Sequence, residues 1–178
     1  MSAVFAVLVT VAAASTPSAI EAQAGFNTQI GMRGDASEAS SGRLRAKILV
    51  TPDIDEFWKA WEGPTPPNIV TTGMVTQAKP VHAIILFGGC TPGADGLCKL
   101  SVTFTITAPD GSPYGKPVSG QAWSGPAGGD NLLASSASFG FRLEPKDKLG
   151  HYQMKATLTD EIARISVAMR EGVVAKTD

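Results

Sequence analysis

The sequence predicts an all-β fold, a sandwich of two sheets with one short helix near the N-terminus, and three observations carry that expectation. The first is Cys98 to Gly111 (CKLSVTFTITAPDG), where Cys98, Leu100, Val102, Phe104, Ile106 and Ala108 share one parity and Lys99, Ser101, Thr103, Thr105 and Thr107 the other. Side chains of a strand alternate between faces, so this stretch is a ribbon with one apolar and one hydroxylated face, closed by Pro-Asp-Gly turn chemistry. The second is the return of the same alternation in Leu133 to Leu143 and in His151 to Thr159. The third is a pair of cysteines, Cys90 and Cys98, flanking the Gly/Pro-containing loop TPGADGL. Two cysteines at the ends of neighbouring strands behind an export signal are most simply a disulfide.

The export signal is read from the N-terminus. Ala3 to Ala14 (AVFAVLVTVAAA) has the length of a signal-peptide apolar region and is shorter than the ~20 residues needed to cross a bilayer. Ala22-Gln23-Ala24 offers small residues where a signal peptidase reads, placing cleavage before Gly25, although no Lys or Arg precedes the apolar run. The alternatives are a buried apolar strand and a retained anchor, the latter lacking a basic flank. The expected organisation is a signal peptide over 1–24, a flexible Gly/Ser-rich lead-in over 25–42 and one domain over 43–178, in a periplasmic or secreted protein. No integral membrane segment is expected once the leader is removed.

Loss of the leader removes Glu21, so the 16 acidic residues become 15 against 15 basic ones. A chain with no net charge offers no basic field for nucleic acid. The 154 residues left are the size of one domain and bury roughly 70% of the unfolded surface.

After the lead-in, which contains an Arg33-Gly34-Asp35 triplet too short to carry a function, Arg43 to Val50 has strand composition. Asp53 to Glu62 (DIDEFWKAWE) breaks the β pattern. Its acidic start and the four-residue spacing of Phe57 and Trp61 predict a short helix, ended by Gly63 and Pro64. That helix is expected to plug one open end of the sandwich, with Trp58 and Trp61 as an alternative docking surface. Asn68 to Gln77 reads as an edge strand and Val81 to Phe87 (VHAIILF) as a more buried one. Lys116 to Trp123 is a short strand, Ser124 to Asn131 a glycine-rich loop, and Ala163 to Val174 a last strand in which β-branched residues and alternation outweigh a helical reading.

Leu143-x-Pro145-x-Asp147 followed by Gly150-x-Tyr152 resembles the passage from strand E to strand F of immunoglobulin-like domains. The resemblance covers roughly residues 81 to 171. It implies a Greek-key sandwich, with Val81 to Phe87 as strand B, the Cys98 ribbon as C and Ala163 onward as G. It also implies that Tyr152 is a structural corner residue whose hydroxyl bonds back across the turn. Met154 stands where the inter-sheet cysteine usually is, and Phe104 in place of the core tryptophan, so the domain departs from the antibody type. The Gly-x-Tyr strand is also similar to those of small exported bacterial proteins.

Chemistry is sparse. There is no Gly-x-Ser-x-Gly, His-Glu-x-x-His or phosphate-binding glycine motif, and two cysteines without a nearby histidine do not fill a zinc shell. No catalytic residue, metal or cofactor is therefore expected. Asp53, Asp55 and Glu56 already have a structural reason to stand at a helix start. The expected function is a non-enzymatic binding or adhesion module recognising a protein, peptide or glycan through loops or a sheet edge, with Trp58, Trp61 and Trp123 as binding candidates. The alternative is a small secreted hydrolase or metal-dependent enzyme using His82 and His151.

Overall fold

The computed structural model describes residues 36–63, 67–129 and 131–177. The signal peptide expected over 1–24, the Arg33-Gly34-Asp35 triplet and the first part of the expected lead-in lie outside these residues. In chain order the described elements are β1 (Glu38–Ser41), β2 (Leu44–Thr51), α1 (Ile54–Trp61), β3 (Met74–Thr76), β4 (Val81–Gly88), β5 (Leu97–Thr107), β6 (Val118–Pro126), β7 (Leu133–Phe141), β8 (Gly150–Asp160) and β9 (Ile165–Lys176).

Two sheets form, one ordered β1-β2-β4-β7 and the other β3-β9-β8-β5-β6. The chain crosses between them from β2 to β3, back from β3 to β4, and then from β4 to β5, from β6 to β7 and from β7 to β8. This is the Greek-key order of an immunoglobulin-like sandwich, with β4 between β2 and β7 as strand B, and β8 between β9 and β5 as strand F. Alternation set the inward faces. Val102, Phe104 and Ile106 on β5 stand opposite Leu158, Ala156 and Met154 on β8, and these residues, with Leu100 and Tyr152 on the same faces, are buried. Phe104 stacks on Phe139 of the opposite sheet, with ring centroids 5.2 Å apart.

Three local expectations are corrected. The end of the lead-in is structured: Glu38–Ser41 pairs antiparallel with β2 through a turn in which Gly42 has φ +58°. Its stabilisation comes from backbone bonds, which a Gly/Ser-rich composition does not reveal. The edge strand expected over Asn68 to Gln77 contracts to Met74–Thr76 and runs parallel to β9. Just before it the Thr72 hydroxyl accepts from Met74 N (3.0 Å) and donates to Met74 O (2.9 Å), a local turn that competes with extension. Finally, β6 continues to Pro126, so Ser124, Gly125 and Pro126, expected in the glycine-rich loop, belong to the strand that carries Trp123.

The helix forms as its sequence dictates but does not plug an end. Asp53 caps it, accepting from Glu56 N at 3.0 Å. Phe57 is buried, and with Trp58, Trp61, Ile54 and Ile69 it packs on Leu49, Ile84, Leu86 and Ala134. Ile84 and Leu86 have the parity opposite to Ala83, Ile85 and Phe87, so α1 covers the outer face of the four-stranded sheet. The continuous apolar run of β4 records this double burial.

The sheet edges are obstructed. On β6 a bulge opposite Leu100 and Ser101 leaves the Ala122 carbonyl to accept from the Ser136 hydroxyl of β7 (3.0 Å). On β7 the buried Ser135 hydroxyl accepts from Ile85 N (3.2 Å) where the β4–β7 register shifts. Bulges and short edge strands such as β1 and β3 deny a foreign strand a straight ladder.

Candidate functional site

The end of the sandwich that carries the disulfide is the most elaborately positioned surface. β4 leads into Gly89, whose φ is +72° and where a Cβ would fall 1.9 Å from the Arg43 carbonyl oxygen, so only glycine fits. Cys90 then bonds Cys98 at the start of β5. Within the enclosed loop, Gly93 N donates to Leu97 O (2.9 Å), Gly96 N to Gly93 O (3.0 Å) and Leu97 N to the Asp95 carboxylate (3.0 Å).

This loop is fastened to the β8–β9 turn by Asp160, a fully buried carboxylate. Its Oδ2 accepts from Thr91 N (2.7 Å), and its Oδ1 from Ile162 N (3.0 Å) and Ala163 N (2.9 Å). Glu161 N also donates to Lys99 O (3.0 Å). Three backbone donors from two loops converge on one side chain, so neither loop shifts without leaving a buried polar group unpaired. Ile162, 38% exposed, lies beside Gly93 at the outer surface of this joint.

Trp123 belongs to the same end, since its strand pairs with β5 next to Cys98. Its indole is half-buried, edge-on to Phe87 with centroids 5.8 Å apart, and Nε1–H donates to Pro126 O (3.2 Å). It lies over Gly125, where an added Cβ would come within 3.1 Å of the ring. Trp58 and Trp61 are not brought to it. Both pack against Phe57, edge-on at 5.1 Å and stacked at 5.8 Å, on the outer face of the other sheet. Of the three tryptophans singled out in the sequence, one therefore sits at the loop end and two hold α1 down.

The two histidines do not meet. His82 alternates with the buried Ala83 and so faces outward from the four-stranded sheet. His151 alternates with the buried Tyr152 and faces outward from the five-stranded one. Burial lowers the pKa of His82, partly offset by the charges of Asp55 and then Asp53. Among the described residues no group of three or more His, Cys, Asp and Glu is arranged to hold a metal ion.

At the opposite end Tyr152 O–H donates to Lys148 O (2.8 Å), bonding back across the β7–β8 turn. Tyr114 O–H donates to the Asp147 carboxylate, which also accepts from Glu144 N (2.7 Å). Burial, then the Asp147 bond and charge, push the Tyr114 hydroxyl well above its ordinary pKa. This end is bolted shut by internal bonds. Asp160 and Thr91 carried no sequence signal beyond a turn, because a carboxylate aimed inward at a strand end looks the same as one aimed at water.

No family profile and no curated protein matches this sequence. The fold is similar to part of a family 123 glycoside hydrolase from Clostridium perfringens, with TM-score 0.49 and 10% identity, over 77% of this chain and 28% of the hydrolase. It is similar to a Niemann-Pick type C2 protein from the Japanese carpenter ant, with TM-score 0.43 and 8% identity, over 78% of this chain and 91% of that one. It is also similar to the CARDB domain of a Pyrococcus furiosus protein solved with di-metal ions, with TM-score 0.41 and 12% identity, over 78% of this chain and all of the domain. This chain thus spans under a third of the hydrolase, and the three likenesses concern the shape of the sandwich alone.

Proposed function

We propose that this protein is a non-enzymatic extracytoplasmic binding module that receives a protein, peptide or glycan partner on the loops of its disulfide-bearing end. The single observation that supports this reading is the Asp160 joint, which fixes the Thr91 to Gly96 loop against the Glu161 to Arg164 turn. Loops held before a partner arrives lose little conformational freedom on binding, and this raises affinity without new contacts. The joint presents exposed Pro92, Ala94 and Ile162 beside charged Asp95, Glu161 and Arg164. Loops are favoured over a sheet edge because both long edges carry bulges. The disulfide supports an oxidising compartment, and among the described residues no helix is long and apolar enough to cross a membrane.

The test is a labelled full-length chain applied to glycan and peptide arrays, with Ile162→Asp and Trp58→Ala variants alongside. Ile162→Asp is expected to remove the signals seen with the native chain, and Trp58→Ala to keep them. Signals indifferent to Ile162→Asp would move the site elsewhere, and turnover in a hydrolase substrate panel would overturn the non-enzymatic reading.

A further inference from the structure

One face of the sandwich is covered by α1, whereas among the described residues no element covers the outer face of the five-stranded sheet. Its composition is one-sided. The outward positions of β5, β8 and β9 carry mostly hydroxyls, an amide and cations, with the His151 imidazole and a few apolar side chains such as Ala168 and Val174, and not one carboxylate, although the whole chain has a net charge of −1. Acidic residues are thus plentiful in the chain but absent from this face.

The hydroxyls are ordered across strands. Thr103 and Ser119 Oγ atoms lie 2.8 Å apart, as do those of Thr159 and Ser166. At the centre of the face, Thr105, Lys155 and Arg170 stand in one row across β5, β8 and β9. Lys155 and Arg170 are therefore like charges placed directly opposite each other, an arrangement that costs stability in a sheet. Arg170 N donates to Ala36 O, away from β8, so the pair is of the non-hydrogen-bonded kind in which side chains approach more closely. Both residues are exposed, and among the described residues neither side chain has an ion-pair partner. An anion lying between them would supply the missing charge, with the Arg170 guanidinium able to grip it in bidentate fashion.

We propose that this face binds an acidic polysaccharide, a polymer of sugar rings bearing carboxylate or sulfate groups. The inference concerns a surface separate from the disulfide end and stands whether or not that end is a site. Hydroxyls that both donate and accept match the hydroxyls of sugar rings, and the cation pair matches an acidic substituent. The 11-residue strands β5 and β8 give the face a length of about 36 Å, room for several sugar units of an extended polymer. A single-stranded nucleic acid stacks successive bases on several aromatic platforms, whereas the outward positions of β5, β8 and β9 offer the His151 imidazole alone. An anionic lipid surface calls for a denser basic cluster than one opposed pair.

The experiment is affinity electrophoresis of the full chain through gels containing heparin, polygalacturonate or neutral dextran. It is run at about 20 mM and about 500 mM salt, since exposed charges are screened at the higher value. Binding to single-stranded oligothymidine and phosphatidylglycerol vesicles is measured in parallel. Retardation by the acidic polysaccharides and not by dextran, lost at high salt, is expected. Lys155→Gln with Arg170→Gln should weaken binding by roughly tenfold or more. Lys155→Glu should abolish binding while melting at or above the native temperature, because the new carboxylate pairs with Arg170. That second variant separates lost binding from lost folding. Ile162→Asp should leave retardation unchanged, which keeps failure of this proposal distinct from failure of the loop-end reading. No retardation of the native chain, or undiminished retardation of both Lys155 variants, would overturn the site. Equal affinity for oligothymidine or vesicles with the same variant dependence would overturn the choice of polysaccharide.

Discussion

The carboxylate of Asp160 and the backbone N–H of Thr91 lie 2.7 Å apart although 69 residues separate them in the chain. That bond, with those to Ile162 and Ala163, turns two loops into one surface. Asp160→Ala leaves three N–H groups without their acceptor. It is expected to lower unfolding free energy by about 3 kcal/mol in urea titrations and to speed hydrogen exchange at Thr91 and Ile162.

The disulfide closes a short loop, with a sequence separation of 8. Replacing both cysteines by alanine should cost about 2 to 3 kcal/mol, chiefly by freeing the unfolded chain, with the midpoint of chemical denaturation as the readout. A variant as stable as the native protein would show that the Asp160 joint alone holds the loop.

Tyr152→Phe keeps the ring packed against Phe141 and Tyr114 and deletes only the hydroxyl that donates to Lys148 O. A loss of about 1 to 1.5 kcal/mol is expected in equilibrium unfolding, more than a surface tyrosine would show.

Phe57 anchors α1, with the Trp61 ring stacked on it at 10°. Phe57→Ala should cost about 3 kcal/mol or more and expose the outer faces of Ile84 and Leu86, visible as increased binding of a hydrophobic dye. Trp61→Ala should also destabilise the protein, by a smaller amount, without altering partner recognition at the other end.

The pKa of His82 is lowered in the folded protein by burial, with Asp55 and Asp53 pulling the other way. The unfolded chain then binds more protons near and below the histidine's ordinary pKa, so stability falls as pH drops through that value. His82→Gln should flatten the fall in denaturation midpoint between about pH 7.5 and about pH 5.5, the span around an unperturbed histidine. An equal slope in the two proteins would show that other groups carry it.

The sequence by itself determined the inward faces of the central strands. A strand's two-residue period writes burial directly into the order of residues, and β5 and β8 could be read from it side chain by side chain. It also determined the existence of α1, through the Asp53 cap and the spacing of Phe57 and Trp61. Only the tertiary structure decided that α1 lies on the outer face of a sheet, because an amphipathic stripe says that a helix must pack and not on what. It alone joined Asp160 to Thr91 and set Lys155 opposite Arg170. The first relation depends on contacts between residues far apart in the chain, and the second on the register that the turn between Asp160 and Ile165 imposes on β8 and β9.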